Sequence, residues 1–270
     1  MRLCSTVPLA ISFIALFISC NSSPKKVSSD DLYGTNFKMG FSKMSGPVLN
    51  TFFTFKLNDT IPPMLLTAHH VVAGKGRGDE FYRWNELTDK LSQAWLWSIH
   101  DDRLQTGLCN NIPIPNAMTM HLDLAAYLLP DDQNDLPYLL PSTTAANVGD
   151  SVILFSKLKV RNQYSMLTPG IVIYASDSLI VYELQCDTLI QMDGTSGSPV
   201  LNLKRGVISN SFGAFSVIDS TMIESQIAQA FPLIRKLSVR QGKTYGVGVP
   251  IELISQSLYN ALGDTRVNQP

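Results

Sequence analysis

The chain has 270 residues, of which 45% are hydrophobic and 16% are charged, and its formal net charge is −1. This composition is that of a globular protein with enough apolar side chains for a sizeable core. A net charge so near zero argues against nucleic acid or an anionic membrane surface as the main binding partner.

The N-terminal segment contains an apolar stretch that differs from the rest of the chain. It runs from Val7 to Ile18, and a polar segment follows it. About a dozen apolar residues are too few to span a bilayer as a helix, and such a stretch near the N-terminus is typical of a secretory signal. Residues 1–19 are therefore predicted to be a signal peptide and not part of the fold.

Cys20 stands directly after this stretch, in the string Phe17-Ile18-Ser19-Cys20. The string resembles a bacterial lipobox, in which the cysteine is lipidated and becomes the new N-terminus. Phe17 departs from the lipobox, since leucine is usual there, and a plain signal peptide cut near Ser19 is the alternative. The resemblance predicts export to the bacterial cell envelope and a lipid anchor at Cys20, on the periplasmic side or at the cell surface.

Polar residues dominate positions 20–34 and predict a flexible tether before a domain that spans residues 35–263. Of the four cysteines, Cys109 and Cys186 would remain inside this domain. Export to an oxidising compartment permits a disulfide between them, provided that their Cα atoms lie within about 7 Å. Two free thiols fit the sequence equally well.

Short apolar runs follow one another through the domain and are separated by glycine, proline, asparagine and aspartate. Several are rich in β-branched or aromatic residues, which predicts an all-β barrel or sandwich. The runs are Val48–Phe55, Met64–Ala68, Leu124–Leu129, Ser151–Phe155, Gly170–Tyr174, Leu179–Leu184, Pro199–Leu203, Gly206–Ser209 and Tyr245–Val249.

Helix-like spacing of apolar residues is confined to a few stretches. The last of them has Pro250 at its start and Gly263 just after its end, which is the punctuation that helices favour. A stretch rich in small and polar residues, Pro141–Asp150, divides the domain into halves of similar size. The three predicted helices are Asp79 to Trp97, Met222 to Leu237 and Ile251 to Leu262.

Ser196 lies in the string Gly194-Thr195-Ser196-Gly197-Ser198-Pro199. A serine hydroxyl is a poor nucleophile unless a base lies beside it, and glycines on both sides free the backbone to turn. All four histidines precede Ser196 in the chain. This order excludes the α/β-hydrolases, whose histidine comes last, and Ser198 replaces the second glycine of their G-x-S-x-G motif.

Two earlier segments carry a candidate base and a candidate acid. His69 and His70 end the apolar run that begins at Leu65. Asp123 lies between Leu122 and Leu124, where a carboxylate is costly to bury unless it is paired or hydrogen-bonded. Together with Ser196 they give the chain order His, Asp, Ser.

These segments resemble the trypsin-like (chymotrypsin-fold) serine proteases, especially their bacterial branch. The string around His70, Thr67-Ala68-His69-His70-Val71-Val72, resembles the family's T-x-x-H-V-V. Asp123-Leu124-Ala125 resembles D-[LI]-A, and the string around Ser196 resembles G-[DN]-S-G-[SG]-P. The resemblance implies two six-stranded antiparallel β-barrels, at about residues 35–145 and 146–263, with a C-terminal helix.

The same resemblance implies a role for each of these residues. Ser196 would attack a peptide carbonyl, His70 would accept and return the proton, and Asp123 would orient the imidazole. The backbone N–H groups of Gly194 and Ser196 would form the oxyanion hole. The reaction needs no metal or other cofactor, its substrate would be a protein or peptide, and no oligomeric state is implied.

Two positions depart from the digestive members of the family. Thr195 replaces the aspartate that pairs with a freed N-terminus in zymogens, so no activation by N-terminal insertion is expected. Ile190 stands six residues before Ser196, where trypsin carries the acid of its specificity pocket. A small or apolar substrate residue at P1, the residue before the cleaved bond, is therefore predicted.

Several alternatives stay open at this level. Asp102 competes with Asp123 as the acid, although the apolar neighbours of Asp123 suit a carboxylate at the edge of a core. His69, His100 and His121 fit surface or packing positions. The chain as a whole also fits a catalytically inactive pseudoprotease that acts as a surface binding lipoprotein, or an esterase with the same triad.

Overall fold

The computed structural model describes residues 32, 35–41, 48–73, 94–98, 104–107, 110–115, 122–129, 136–160, 163–186, 189–190, 192, 194–218 and 232–267. The predicted signal peptide, the predicted lipidation site Cys20 and the predicted tether apart from residue 32 lie outside them. No helix in the described part of the chain is long and apolar enough to cross a membrane.

The first half of the domain is an antiparallel sheet of seven strands, with a one-turn helix after the third. These elements are β1 (Asn36–Phe41), β2 (Val48–Phe55), β3 (Met64–Thr67), α1 (His69–Ala73), β4 (Ala94–Ser98), β5 (Leu104–Gly107), β6 (Asn110–Ile112) and β7 (Ala125–Leu128). Their order across the sheet is β5-β4-β1-β2-β3-β7-β6. The pairing of β3 with β7 brings the chain after Thr67 close to the chain before Ala125.

The second half is a closed six-stranded antiparallel barrel. Its strands are β8 (Ser151–Val160), β9 (Gln163–Ala175), β10 (Ile180–Leu184), β11 (Pro199–Asn202), β12 (Val207–Val217) and β13 (Lys243–Pro250). They close in the order β10-β13-β12-β11-β8-β9. A 3-10 helix (Pro232–Lys236) precedes β13, and the C-terminal helix α2 (Ile251–Val267) follows it directly.

One buried apolar cluster joins the two halves. Phe53 and Leu66 enter it from the sheet, Leu201 and Val249 from the barrel, and Ile254 from helix α2, and all of them are fully buried. Each such side chain stabilises the folded state by about 1.5–3 kcal/mol relative to an exposed position. A continuous core of this kind holds sheet, barrel and helix in one arrangement.

The prediction of an all-β domain with a C-terminal helix is confirmed. The predicted second barrel is confirmed as well, since six strands close on themselves there. The described strands of the first half form a seven-stranded sheet, so a six-stranded first barrel stays a prediction. Every predicted apolar run coincides with a strand or lies within one, apart from one or two terminal residues.

The helix predicted from Asp79 to Trp97 is wrong at its C-terminal end. Residues 94–98 form β4, which pairs with β1 on one side and β5 on the other. Tryptophan favours strands, and this one contains Trp95 and Trp97. Local spacing that suits a helix was overridden by pairing with two neighbouring strands. Residues 79–93 lie outside the described part.

The other two predicted helices differ from expectation at their ends. The described end of the predicted Met222 to Leu237 helix is the 3-10 turn Pro232–Lys236, and residues 219–231 lie outside the described part. The C-terminal helix is confirmed but continues through Gly263 to Val267. A Cβ at Gly263 would meet no atom within 4 Å, so this is an open helix position that glycine can occupy at modest cost.

Candidate active site

His70 is placed by the junction of β3 and helix α1. All four residues of β3 are buried, and the chain turns into the helix immediately after it. His69 is only 2% exposed, whereas the side chain of His70 is 38% exposed. Of the two adjacent histidines, His70 is therefore the one that a substrate can reach.

Asp123 binds His70 through both of its carboxylate oxygens. The backbone N–H of His70 donates to Oδ1 at 2.9 Å, and Nδ1 of the His70 ring lies 2.5 Å from Oδ2. Asp123 follows the buried Leu122 and comes just before β7, whose pairing with β3 creates this contact. One carboxylate thus fixes both the start of helix α1 and the orientation of the imidazole.

The pKa of His70 is set by two opposing effects. Burial by itself lowers the pKa of the imidazole, but the hydrogen bond and the negative charge of Asp123 together outweigh it. The pKa of His70 consequently lies above its ordinary value of 6.5. An imidazole of this kind can accept a proton and return it.

Ser196 lies in the loop that leads into β11. Its Oγ donates to the backbone oxygen of Phe212 at 3.4 Å, and among the described residues no hydrogen bond joins it to His70. The following residue, Gly197, donates its N–H to Ser211 O at 2.7 Å, and Ser211 donates to Ser198 O at 2.8 Å. Strand β12 therefore holds Ser196 through backbone hydrogen bonds on the far side of the loop. In proteins without bound substrate, hydrogen bonds between catalytic groups are often long and tighten only when substrate binds.

The N–H groups of Gly194 and Ser196 are candidate donors to an anion. Gly194 has φ 82° and Gly197 has φ 86°, a left-handed conformation that favours glycine. Within the described residues, the N–H groups of Gly194 and Ser196 donate to no backbone acceptor. Pre-oriented donors of this kind stabilise an oxyanion, and the loss of one costs about 3–4 kcal/mol in related sites.

The sequence matches the family described as "Trypsin-like peptidase domain" over residues 53–208, which is more than half of the chain. The chain belongs to this family. Its members are serine endopeptidases, which places the protein among the hydrolases. No curated protein matches the sequence.

Solved structures with a similar fold include proteases. A serine endoprotease from Yersinia pestis is 14% identical, and the match covers 88% of this chain and 69% of that one with a TM-score of 0.51. The active form of the Rv3671c protease from M. tuberculosis is also 14% identical, with 87% and 85% covered and a TM-score of 0.48. At this identity the likeness to the Yersinia pestis structure shows that the two chains share a fold.

In this trypsin-like peptidase, Thr195 is held inside its own loop. The residue is 1% exposed, and both its N–H and its Oγ1 donate to Met192 O, at 3.1 Å and 2.8 Å. The position that carries an aspartate in zymogens is thus satisfied locally and offers no carboxylate to an N-terminal ammonium.

Ile190 packs into the barrel core and is 5% exposed. Its neighbours in that apolar cluster include Leu184 and Val200, and its N–H donates to Thr244 Oγ1 at 3.1 Å. Its predicted place in the specificity pocket of the peptidase stays a prediction.

Several predicted residues lie outside the described part. They include the alternative acid Asp102, the histidines at 100 and 121, and Cys109, so neither a disulfide between Cys109 and Cys186 nor the alternative of two free thiols is tested. In the described residues no cluster of histidine, cysteine, aspartate and glutamate could hold a metal ion.

Sequence reasoning missed Thr51, which binds the loop that carries Ser196 directly. Its N–H donates to Ser196 O at 3.1 Å and its hydroxyl to Gly194 O at 3.2 Å. In the sequence it is one threonine in an apolar strand, and no local signal distinguishes it from Thr54. Only the contact between the two halves of the peptidase shows the difference.

Proposed function

We propose that this peptidase hydrolyses peptide bonds through an acyl-enzyme formed on Ser196, with His70 as the base and Asp123 as its orienting acid. The single observation that supports this most strongly is the double hydrogen bond from Asp123 to His70. With Nδ1 bound to a carboxylate, Nε2 is the imidazole nitrogen left to take the proton of Ser196.

The proposed reaction proceeds in two balanced halves. Ser196 Oγ adds to the peptide carbonyl while its proton moves to His70 Nε2, and the oxyanion lies against the N–H groups of Gly194 and Ser196. The C–N bond then breaks, and the leaving amine takes the proton from His70. A water molecule attacks the ester in the same way, which releases the carboxylic acid and restores the Ser196 hydroxyl.

The substrate preference proposed here is a small or apolar residue at P1. Ile190 supports it, because this apolar side chain stands six residues before Ser196, where trypsin carries an acid. An arginine or lysine at P1 needs an acid at the base of its pocket. Profiling cleavage of a peptide library tests the preference, and a strong selection for arginine or lysine would contradict it.

A fluorophosphonate probe tests the acyl-enzyme proposal. The probe reacts with an activated serine, so we expect the wild type to be labelled and Ser196→Ala to remain unlabelled. Ser198→Ala is the matched control, since Ser198 is a fully buried serine two residues away, and it should keep most of the labelling. Absence of labelling in well-folded wild type would instead support the binding lipoprotein considered above.

We further propose that the peptidase is exported and tethered to a bacterial membrane through a lipid on Cys20. The string Phe17-Ile18-Ser19-Cys20 supports this, as does Thr195, because a lipidated N-terminus could not insert beside the active site. Growth with radioactive palmitate should label the wild type and Cys109→Ala but not Cys20→Ala. An unlabelled, secreted wild type would point to a plain signal peptide.

A further inference from the structure

Residues 194–198 of the barrel carry Ser196 and are called the nucleophile loop. This loop is bound by a residue of the other half of the domain. Thr51 lies on β2 in the first half and is 2% exposed. Its N–H donates to Ser196 O at 3.1 Å, and its Oγ1 donates to Gly194 O at 3.2 Å. One residue therefore holds the carbonyl groups on both sides of Thr195, in the segment that supplies both oxyanion donors.

The hydroxyl of Thr51 is itself part of a chain of hydrogen bonds. Ser156 on β8 is 1% exposed, and its Oγ lies 3.2 Å from Thr51 Oγ1. Because a hydroxyl has one proton, and that of Thr51 is given to Gly194 O, Ser156 is the donor in this pair. Such chains strengthen each bond in a buried site. Thr51 cannot turn away from Gly194 without leaving buried polar atoms unpaired.

Thr51 also connects the nucleophile loop to the strand that leads to His70. Its carbonyl oxygen accepts from Thr67 Oγ1 at 2.9 Å, three residues before His70. Gly197 packs against both groups, because a Cβ there would lie 2.1 Å from Thr51 O and 2.1 Å from Thr67 Oγ1. These short contacts thus join the strand that leads to His70 to the loop that carries Ser196.

We propose that Thr51 is a positioning residue for the oxyanion hole, and that its hydroxyl fixes the Gly194–Thr195 peptide, which lies between the two peptide units whose N–H groups form that hole. This inference rests on the proposed function of Ser196. Thr51 does not touch the substrate; it acts through Gly194 and Ser196. Since rate falls steeply when oxyanion donors are misplaced, the loss of this hydroxyl should slow acylation more than it weakens substrate binding.

The test compares three variants on the same strand. Thr51→Val removes the hydroxyl and keeps the shape and the backbone contacts, and Thr51→Ser restores the hydroxyl. Thr54→Val is the matched control, since Thr54 is fully buried and its hydroxyl lies within hydrogen-bond distance of Thr35 O and Pro137 O, away from the loop that carries Ser196. Thermal unfolding shows whether each variant is folded at the assay temperature.

We expect Thr51→Val to react with a fluorophosphonate probe about 10-fold more slowly than the wild type. Thr51→Ser and Thr54→Val should stay within about 2-fold of it. With p-nitrophenyl acetate as substrate, the loss in Thr51→Val should fall on kcat and leave KM nearly unchanged. A wild-type rate in Thr51→Val, or an equal loss in Thr54→Val, overturns the proposal.

Hydrogen exchange separates this inference from the proposed function. The amides of Gly197 and Ser198 should exchange faster in Thr51→Val than in Thr54→Val, whether or not the serine reacts. If the wild type is never labelled, the acyl-enzyme proposal fails, and exchange alone decides whether Thr51 positions the loop. If Thr51→Val does not fold, Ser156→Ala, which removes only the outer donor, should slow labelling about 3-fold; no slowing overturns the proposal.

Discussion

The two halves of the domain hold their parts of the site by different means. In the sheet, the position of His70 depends on one side chain, because Asp123 binds both its backbone and its ring. In the barrel, the position of Ser196 depends on backbone geometry, with Gly194 and Gly197 at positive φ and with N–H to C=O bonds to β12.

This difference predicts two kinds of sensitivity. The sheet half, which holds His70, should respond to changes of charge and hydrogen bonding at Asp123. These changes should alter the pH dependence of the reaction. The barrel half, which holds Ser196, should respond to added volume at Gly194 and Gly197. Such changes should lower both the stability of the fold and the reaction rate.

Asp123→Asn should have the largest effect on activity. The amide oxygen keeps the bond from the His70 backbone N–H, so the amide NH2 faces Nδ1 and donates to it, which favours the wrong tautomer; comparable changes lower kcat by about 10⁴-fold. Loss of the negative charge also leaves burial to act alone, so the pKa of His70 should fall. The midpoint of the pH profile of fluorophosphonate labelling should move to lower pH. Asp150→Asn, an exposed aspartate in a turn, should change neither rate nor midpoint.

Gly197→Ala should have the next largest effect, of about 100-fold on the labelling rate, because it displaces the serine loop. The new Cβ would lie 2.1 Å from both Thr51 O and Thr67 Oγ1, so the two halves must move apart. Gly242→Ala is the control, since Gly242 has φ 75° but nothing lies within 4 Å of its added Cβ. Equal losses in the two variants would mean that backbone strain and not crowding is responsible.

Tyr182→Phe tests how the barrel supports β12 from inside. The Tyr182 hydroxyl donates to Ser211 Oγ at 3.0 Å, and the backbone of Ser211 is hydrogen-bonded to Gly197 and Ser198. Burial raises the pKa of Tyr182 far above its ordinary value, so the group stays a neutral donor. We expect a loss of about 1–2 kcal/mol in the free energy of unfolding, since the Ser211 hydroxyl stays buried without its donor.

The control for Tyr182→Phe is Tyr259→Phe. Tyr259 is 48% exposed, and its hydroxyl accepts from Asn58 Nδ2 on the surface. Urea unfolding of this variant should agree with the wild type within about 0.5 kcal/mol. A loss as large as that of Tyr182→Phe would show that the buried bond contributes nothing specific.

The sequence predicted the parts of this structure that depend on local pattern. The strands around Leu65 and Val200 were recognisable from their apolar runs, and His70, Asp123 and Ser196 from motifs with a fixed chain order. Pairing between distant strands was not recognisable, which is why β4 was predicted as part of a helix. Thr51 could not be found for the same reason, since its hydroxyl contacts Ser156 and Gly194, both more than a hundred positions away.

The smallest predicted effect concerns the contribution of His70 to stability. Because its pKa in the folded state lies above 6.5, the protonated imidazole is favoured by folding. This contribution is fully present below about pH 6.5 and is lost as the pH rises through the raised pKa of the folded state.

His70→Gln should therefore lower the free energy of unfolding more at pH 6 than at pH 9. The difference should be about 0.5 kcal/mol, since the His70 side chain is 38% exposed and water weakens its pairing with Asp123. Urea unfolding at both pH values measures it, with Ser196→Ala as the control whose stability change should be the same at each. A larger loss at pH 9 would mean that His70 is bound more tightly as the neutral ring, so that Asp123 orients the base without raising its pKa.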